Sequence, residues 1–335
     1  MVDIFRGKNI LVTGGSGSIG GEIVKKLLQH EPNVIRVLSN DENCLFSLEQ
    51  EIRGHSNLRF LVGDVRDKER LQHAVENIHF VFHAAALKHV PLCEYNPFEA
   101  VKTNVLGTQN VIEAAMEEEV EKLVTISTDK AVNPVNVMGA TKLLAERLTV
   151  SANYYKGLRK TAFSCVRFGN VLDSRGSVVP SFREQIRKGG PITLTDPDMT
   201  RFVMSIPKAV ELVFKAAEMA RGGEIFIFKM PALRIGDLAE AMIEVLASQY
   251  GYNPGSIKIE VTGKRPGEKM YEELLAADEA TNASETEDMF VITPAGGNQK
   301  GKRIAGKDYR SDQDGILLAR EEIREILRES SPHPL

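Results

Sequence analysis

The chain has 335 residues, with 42 Lys and Arg against 46 Asp and Glu and a formal net charge of −4. That balance, with no basic block, argues against nucleic acid or an anionic membrane as the main partner, and no apolar run approaches the ~20 residues that span a bilayer. Cys44, Cys93 and Cys165 lie far apart without metal-ligand spacing and read as buried thiols, so a protein of a reducing compartment is expected, cytoplasmic, with no apolar N-terminal signal and no metal.

Strand and helix signals alternate along the chain. Asn9–Thr13 (NILVT) is a short apolar run ending in glycines. A helical face of Ile19, Ile23, Val24, Leu27 and Leu28 follows. Residues 34–39, 58–62, 80–84, 123–127, 162–168 and 224–229 are further β-rich runs, most of them separated by amphipathic segments. Near-continuous apolar strands between helices predict an α/β fold: a Rossmann-type doubly wound parallel sheet covered on both faces. Beyond Val171 turn residues become frequent, as in Ser174-Arg175-Gly176, Gly189-Gly190-Pro191 and Pro266-Gly267. The expected organisation is a dinucleotide-binding domain over 1–172 and 203–230, and a smaller α+β substrate domain over 173–202 and 231–290. A C-terminal tail with a helix is expected over 291–335, entered through a polar, extended connection at 296–310.

The first strand runs into Gly14-Gly15-Ser16-Gly17-Ser18-Ile19-Gly20, a Gly-x-x-Gly-x-x-Gly loop opening a helix. Gly14 allows the tight turn, Gly17 lets backbone approach a pyrophosphate, and Gly20 lets the helix pack on the sheet. This context predicts a dinucleotide site. Asp41, about 20 residues on, suits the ribose hydroxyls of NAD, or is simply the cap of the next helix. No Arg adjoins it in sequence to receive a 2′-phosphate, which favours NAD, with NADP as the alternative. Asp64-Val65 suits the adenine edge, and Ala84-Ala85-Ala86 offers small side chains for close approach; both also fit plain packing.

Residues 127–142, STDKAVNPVNVMGATK, carry the chemistry. The frame Met138-x-x-x-Lys142 resembles the Tyr-x-x-x-Lys of short-chain dehydrogenases, with Met in place of Tyr. A thioether carries no proton, so Met138 is no general base. Asp129-Lys130 supplies a second acid–base pair in the same segment, just past a strand end where ligands bind in open α/β sheets.

Together with TGGSGSIG, GDVRD, HAAALKHVP, YNPFEAVKTNVLGT, VRFGNVLDSRGSVVP, DPDMTRF and RPGEKMYEEL, that segment resembles the extended short-chain dehydrogenase/reductases, specifically the UDP-N-acetylglucosamine 4,6-dehydratases of polysaccharide biosynthesis. The resemblance spans about residues 9 to 275 and includes the Met138 substitution. It implies a redox-neutral elimination. A hydride leaves sugar C4, a base takes the C5 proton, water departs from C6, and the hydride returns to C6.

By the same resemblance Lys130 is the base at C5, its pKa lowered by burial and positive neighbours, and Asp129 is the acid at O6, raised by burial. Lys142 is expected on the nicotinamide ribose, Thr128 as a relay for the O4 proton or an orienter of the loop, and Met138 against nicotinamide or sugar, or in the core. Lys88 is assigned to substrate electrostatics, and His89 is read as structural. For the UDP group the candidates are Asn170, Arg201, Arg265 and Glu268, with Arg175 and Ser177 flanking the same site; the alternative readings are surface ion pairs and, for Glu268, a helix N-terminal charge. The implied product keeps its C5 configuration; C5 inversion is the alternative, then a 4-epimerase or nucleotide-sugar reductase, then a non-catalytic dinucleotide sensor. Helices near 97–118 and 139–155 resemble the family's dimer faces, so a homo-oligomer is expected.

Overall fold

The computed structural model describes residues 3–294, 302–304 and 306–329. The N-terminal half alternates β1 (Asn9–Thr13), α1 (Ser18–Leu27), β2 (Val34–Ser39), α2 (Glu42–Glu51), β3 (Leu58–Val62), α3 (Lys68–Val75) and β4 (Phe80–His83). Then come α4 (Val90–Tyr95), α5 (Pro97–Ala100), a π-helical turn (Val101–Leu106), α6 (Gly107–Glu117), β5 (Lys122–Ile126), α7 (Val137–Tyr155) and β6 (Ala162–Arg167). The second half carries β7 (Asn170–Val171), α8 (Val178–Arg187), β8 (Ile192–Leu194), β9 (Thr200–Met204), α9 (Ile206–Met219), β10 (Ile225–Phe228), β11 (Ala232–Arg234) and α10 (Ile235–Leu246). It ends with β12 (Ile259–Val261), β13 (Glu273–Leu275), α11 (Ala277–Ala280), β14 (Ala283–Glu285), β15 (Met289–Ile292), β16 (Lys302–Arg303), β17 (Tyr309–Arg310) and α12 (Arg320–Glu329).

The large sheet runs β16-β14-β15-β10-β6-β5-β4-β1-β2-β3. From β3 through β10 every pairing is parallel. The order 3-2-1-4-5-6 reverses direction at β1 and β4, and the crevice at such a switch point is where ligands bind. The apolar runs explain the arrangement. β1, β4, β6 and β10 are almost wholly buried because helices cover both faces, whereas the edge strand β3 alternates and stays half-exposed. On one face α1 and α9 close over Ile10, Val12, Phe80 and Phe82, with the Phe5 and Phe214 rings packed 4.9 Å apart. On the other, α3, α6 and α7 cover Leu11, Leu38, Leu123 and Phe163.

A second core joins α8, α10 and α12 through Phe182, Ile186, Leu238, Met242, Ile323 and Leu327. It supports the small sheet β11-β9-β7 and the pair β12-β8. The boundary expected at 290–291 is corrected here. It falls inside β15, which pairs antiparallel with β10, while β14 pairs with β15. Residues 283–292 therefore extend the large sheet, because the apolar edge of β10 (IFIF) is covered by a returning hairpin. The C-terminal helix is no free tail, since Ile323 and Leu327 are buried against α10. Part of the extended connection expected at 296–310, namely 296–301 and 305, lies outside the described residues; its end, β17, pairs with β13. Cys93 and Cys165 are buried as expected, but Cys44 is only half-buried.

Candidate active site

A cleft of about 1130 Å³ runs along the C-terminal ends of β1, β2, β4 and β5 and into the second half. At one end is the glycine loop. Gly14 has φ +63°, and a Cβ there would lie 2.6 Å from Ala85 N; a Cβ on Gly20 would lie 2.3 Å from Gly14 O. Glycine is needed at both places, one for its backbone angle and one for helix contact. Gly17 by contrast is nearly open: a Cβ there would meet only Gly14 O, at 3.0 Å. The cradle therefore fits a dinucleotide: Gly14, Ser16, Gly17, Ser18, Ile19 and Gly20 line it, with Ala84, Ala85 and Ala86 opposite.

Asp41 caps α2, accepting from Cys44 N at 2.9 Å, and also lines the cleft. Asp64 accepts from the Arg66 guanidinium at 2.7 Å and from Asn40 Nδ2 at 3.1 Å, and these partners hold its carboxyl below the usual range. Val65 is buried against Gly107.

Arg175 lines the cleft and lies against the glycine loop. Its backbone N–H donates to Ser18 Oγ at 3.0 Å, its guanidinium donates to Cys44 Sγ at 2.7 Å and to Ser16 O, and its charge helps to lower the Asp41 pKa. An Arg therefore does adjoin Asp41, brought there by the fold. Lys88 Nζ donates to Arg175 O at 2.8 Å, and burial, aided by Arg175, lowers its pKa. His89 packs edge-on where a Gly176 Cβ would be, consistent with a structural role.

The reacting end is built on the turn after β5. Thr128 Oγ1 donates to Asp129 Oδ1 at 2.8 Å, and Lys130 Nζ donates to the same oxygen at 2.9 Å and to Asn170 Oδ1 at 3.3 Å. Asp129 is fully buried and does not line the cleft, whereas Thr128 and Lys130 face it. α7 begins against this turn. Asn136 caps it by accepting from Gly139 N at 2.8 Å, and a Cβ on Gly139 would lie 2.2 Å from Lys130 O. That entry point sets Met138 and Lys142 one helical turn apart on the cleft side. Met138 also packs with Cys93 and Ala100, so its core reading holds too. Lys142 Nζ donates to Ile126 O at 2.6 Å, and burial pushes its pKa down to about 8.

Sequence reasoning missed Glu272. It is 3% exposed, and its Oε1 lies 3.6 Å from Lys130 Nζ and 3.8 Å from Arg201 Nε. This corrects the expected Lys130 pKa: burial lowers it, but Asp129 and Glu272 outweigh burial, and the net shift is upward. Asn170 and Arg201 stand at the Lys130 end of the cleft. Arg265 and Glu268 line the far wall, where Glu268 accepts from Arg265 N at 3.1 Å in a turn, not at a helix start. Ser177 precedes α8 and lines the cleft. Asn104 was also missed. It is buried within the π-helical turn, bridges Leu87 N and O, and donates to Thr141 Oγ1 at 3.0 Å, fixing the Ala84–Lys88 wall to α7.

A glycine cradle and a buried acid–base cluster in one cleft of a doubly wound sheet define a Rossmann-type short-chain dehydrogenase/reductase. A model of the family described as polysaccharide biosynthesis protein matches residues 10–294, and the chain belongs to that family. It is 64% identical over 98% of both chains to an uncharacterized membrane protein of Methanocaldococcus jannaschii. It is 41% identical to UDP-N-acetylglucosamine 4,6-dehydratase (inverting) of Campylobacter jejuni, covering 97% of this chain and 98% of that one. It is 38% identical to a UDP-glucose 4-epimerase of Rickettsia canadensis, covering 97% and 96%. The X-ray structure of Pen from Bacillus thuringiensis, 48% identical, superposes with a TM-score of 0.91 over 98% of both chains. Among the described residues no helix is long and apolar enough to cross a membrane.

Proposed function

We propose that the protein is a UDP-N-acetylglucosamine 4,6-dehydratase that uses NAD and releases a UDP-4-keto-6-deoxy-N-acetylhexosamine. The observation that carries this reading is the Thr128–Asp129–Lys130 cluster opposite Met138, in the cleft that holds the glycine loop. Elimination needs proton carriers for O4, C5 and O6, and three stand here although the usual Tyr is absent. The relatives act by name on UDP-sugars, as dehydratases or epimerases, which supports the broader class. NAD rests on the cradle and on Asp41 as ribose acceptor, with Asp64 and Val65 at the adenine.

Bound NAD supplies a reversible hydride acceptor. Lys142, charged at neutral pH with a pKa of about 8, holds the nicotinamide ribose and raises the local positive potential. Thr128 passes the O4 proton to Asp129, and the same pair returns it to O6 as water departs. Lys130 takes the C5 proton. Asn170 orients Lys130, Arg265 and Glu268 bind the uridine diphosphate, and Arg175 ties the second half to the glycine loop. Ser177 lies beside it, at the start of α8. Lys88 contributes positive charge near the sugar.

Return of the C5 proton from Lys130 retains configuration. Inversion is the second reading, supported by the relative named as inverting and by Lys88 on the cleft wall as another donor. A 4-epimerase is the weaker reading because epimerisation at C4 needs neither a base at C5 nor an acid at O6, the roles proposed for Lys130 and Asp129. We also propose a homo-oligomer, supported by exposed Leu92, Tyr95, Phe98 and Leu106 on neighbouring helical segments.

The test is incubation with UDP-N-acetylglucosamine without added reductant, followed by mass spectrometry and NMR in deuterated water. Loss of one water is expected, with the H1–H2 and H2–H3 couplings, which follow the ring conformation, reporting the C5 configuration. Unchanged substrate mass overturns the dehydratase reading.

A further inference from the structure

Behind the main cleft lies a recess of about 140 Å³ lined by Lys130, Asn170, Arg201, Lys269 and Glu272. Lys130 is shared by both spaces, whereas Glu272 faces only the recess. Asn170, Arg201 and Glu268 also line both spaces, so the Glu272 carboxyl meets the cleft through Lys130 and, at 3.8 Å, Arg201. The backbone of Glu272 is fixed on both sides by Ser311: its N–H donates to Ser311 Oγ at 2.8 Å, and its carbonyl accepts from Ser311 N at 2.9 Å. Among the described residues its Oε2 has no hydrogen-bond partner. A buried carboxylate with an unused oxygen is costly, and the cost falls when it is protonated.

The proposed reaction creates a demand for such a group. Lys130 rests as an ammonium between two carboxylates, and an ammonium cannot take a proton from C5. Asp129 is a poor recipient for the surplus proton. It is the nearer carboxylate, 2.9 Å from Lys130 Nζ, and among the described residues its Oδ2 is also buried without a partner, but it is needed to carry the O4 proton to O6 and cannot hold a second proton.

We propose that Glu272 is a positioning residue that readies Lys130: the ammonium gives one proton to the Glu272 carboxylate, and the freed amine takes the C5 proton. This rests on the dehydratase reading. One N–H bond breaks at Lys130 and one O–H bond forms at Glu272. Then C5–H breaks, its proton bonds to Nζ, and its electron pair enters the enolate of the 4-ketone. Delivery of that proton back to the ring, or to solvent, frees the amine again, and Glu272 returns its own proton as product leaves.

The charges facing Glu272 support the exchange. Burial and the nearby Asp129 push its pKa up, while Lys130, Arg201 and Lys269 pull it down, and the net direction is upward. The Lys130 pKa is raised as well, by the same carboxylates. The raised Lys130 pKa opposes release of its proton, whereas the raised Glu272 pKa works the other way and narrows the gap between donor and acceptor.

The test is Glu272→Gln, which keeps shape and the oxygen facing Lys130 but cannot accept the proton. At pH 7 kcat should fall about 10²-fold with KM within about twofold. Wild-type kcat should be flat across neutral pH. In the variant it should climb about tenfold per pH unit, because Lys130 must now lose its proton to solvent. Glu272→Asp, which retains an acid, should recover part of the rate without that slope. A second readout needs no substrate. The pH dependence of Lys130 acylation by acetic anhydride, followed by peptide mass spectrometry, should move to lower pH in Glu272→Gln, since a buried anion is gone. Loss of kcat by the same factor at every pH, an unchanged kcat, or an unmoved acylation profile would each overturn the proposal. If the wild type fails to dehydrate UDP-N-acetylglucosamine, the function reading falls, and the acylation profile still decides the Glu272–Lys130 coupling.

Discussion

Replacing Lys142 by Met should stabilise the cofactor-free protein at pH 7 while disabling the site. Lys142 is 7% exposed, and burial holds its pKa near 8 instead of its ordinary 10.5. Keeping the amine charged in that place costs roughly 3 kcal/mol, at about 1.4 kcal/mol per tenfold change in proton affinity. Methionine removes that cost but also removes the hydrogen bond to Ile126 O, worth about 1 kcal/mol. The net gain is about 2 kcal/mol, or roughly 3 °C in Tm for a chain of this size. The sign with pH follows from proton counting. Below pH 8 both folded and unfolded chains carry the Lys142 proton, and the full penalty stands. Between about pH 8 and 10.5 the unfolded chain holds a proton that the folded chain has released, so wild-type stability rises relative to the variant. Thermal unfolding of both proteins at pH 7, 8.5 and 10 measures this. The variant should lead at pH 7, and its lead should vanish or reverse by pH 10. Equal stabilities at pH 7, or a gap that ignores pH, would refute the assignment of Lys142 as a strained, buried cation.

Lys130→Ala and Asp129→Asn should each lower kcat by about 10²–10⁴-fold, and solvent exchange at C5 should disappear in the first; Met138→Ala should cost far less. Stripped of cofactor, the enzyme should bind NAD more tightly than NADP by calorimetry, and Arg175→Ala should weaken both, because Arg175 braces the glycine loop rather than reading a 2′-phosphate. Arg167→Met should destabilise by about 3–5 kcal/mol in urea titrations. It is fully buried, and it pairs with Glu146 at 2.8 Å and Glu279 at 2.7 Å, so its loss strands two carboxylates. Simultaneous Glu146→Gln and Glu279→Gln should recover much of that loss.

The parallel sheet, the glycine loop and the Thr128–Lys142 segment were legible from residue order, since each is local. Apolar runs bounded by glycines specify covered strands, Gly14 and Gly20 meet neighbours a few residues away or on the adjacent strand, and Asn136 starts the helix that presents Met138 and Lys142. What the sequence could not settle comes from distant pairs. Glu272 meets Lys130 only because β13 is folded beside the turn after β5. Arg175 reaches Ser16 across 159 residues, a contact that Asp41's chain neighbours could not reveal. Residues 283–292 look like any short β-hairpin until the exposed edge of β10 gives them a place to pair. Local patterning chooses elements because side-chain periodicity is written along the chain, whereas buried charges are set by which elements the hydrophobic cores bring together. The pKa values of Lys130, Glu272 and Lys142, and with them the chemistry, were therefore decided by tertiary structure.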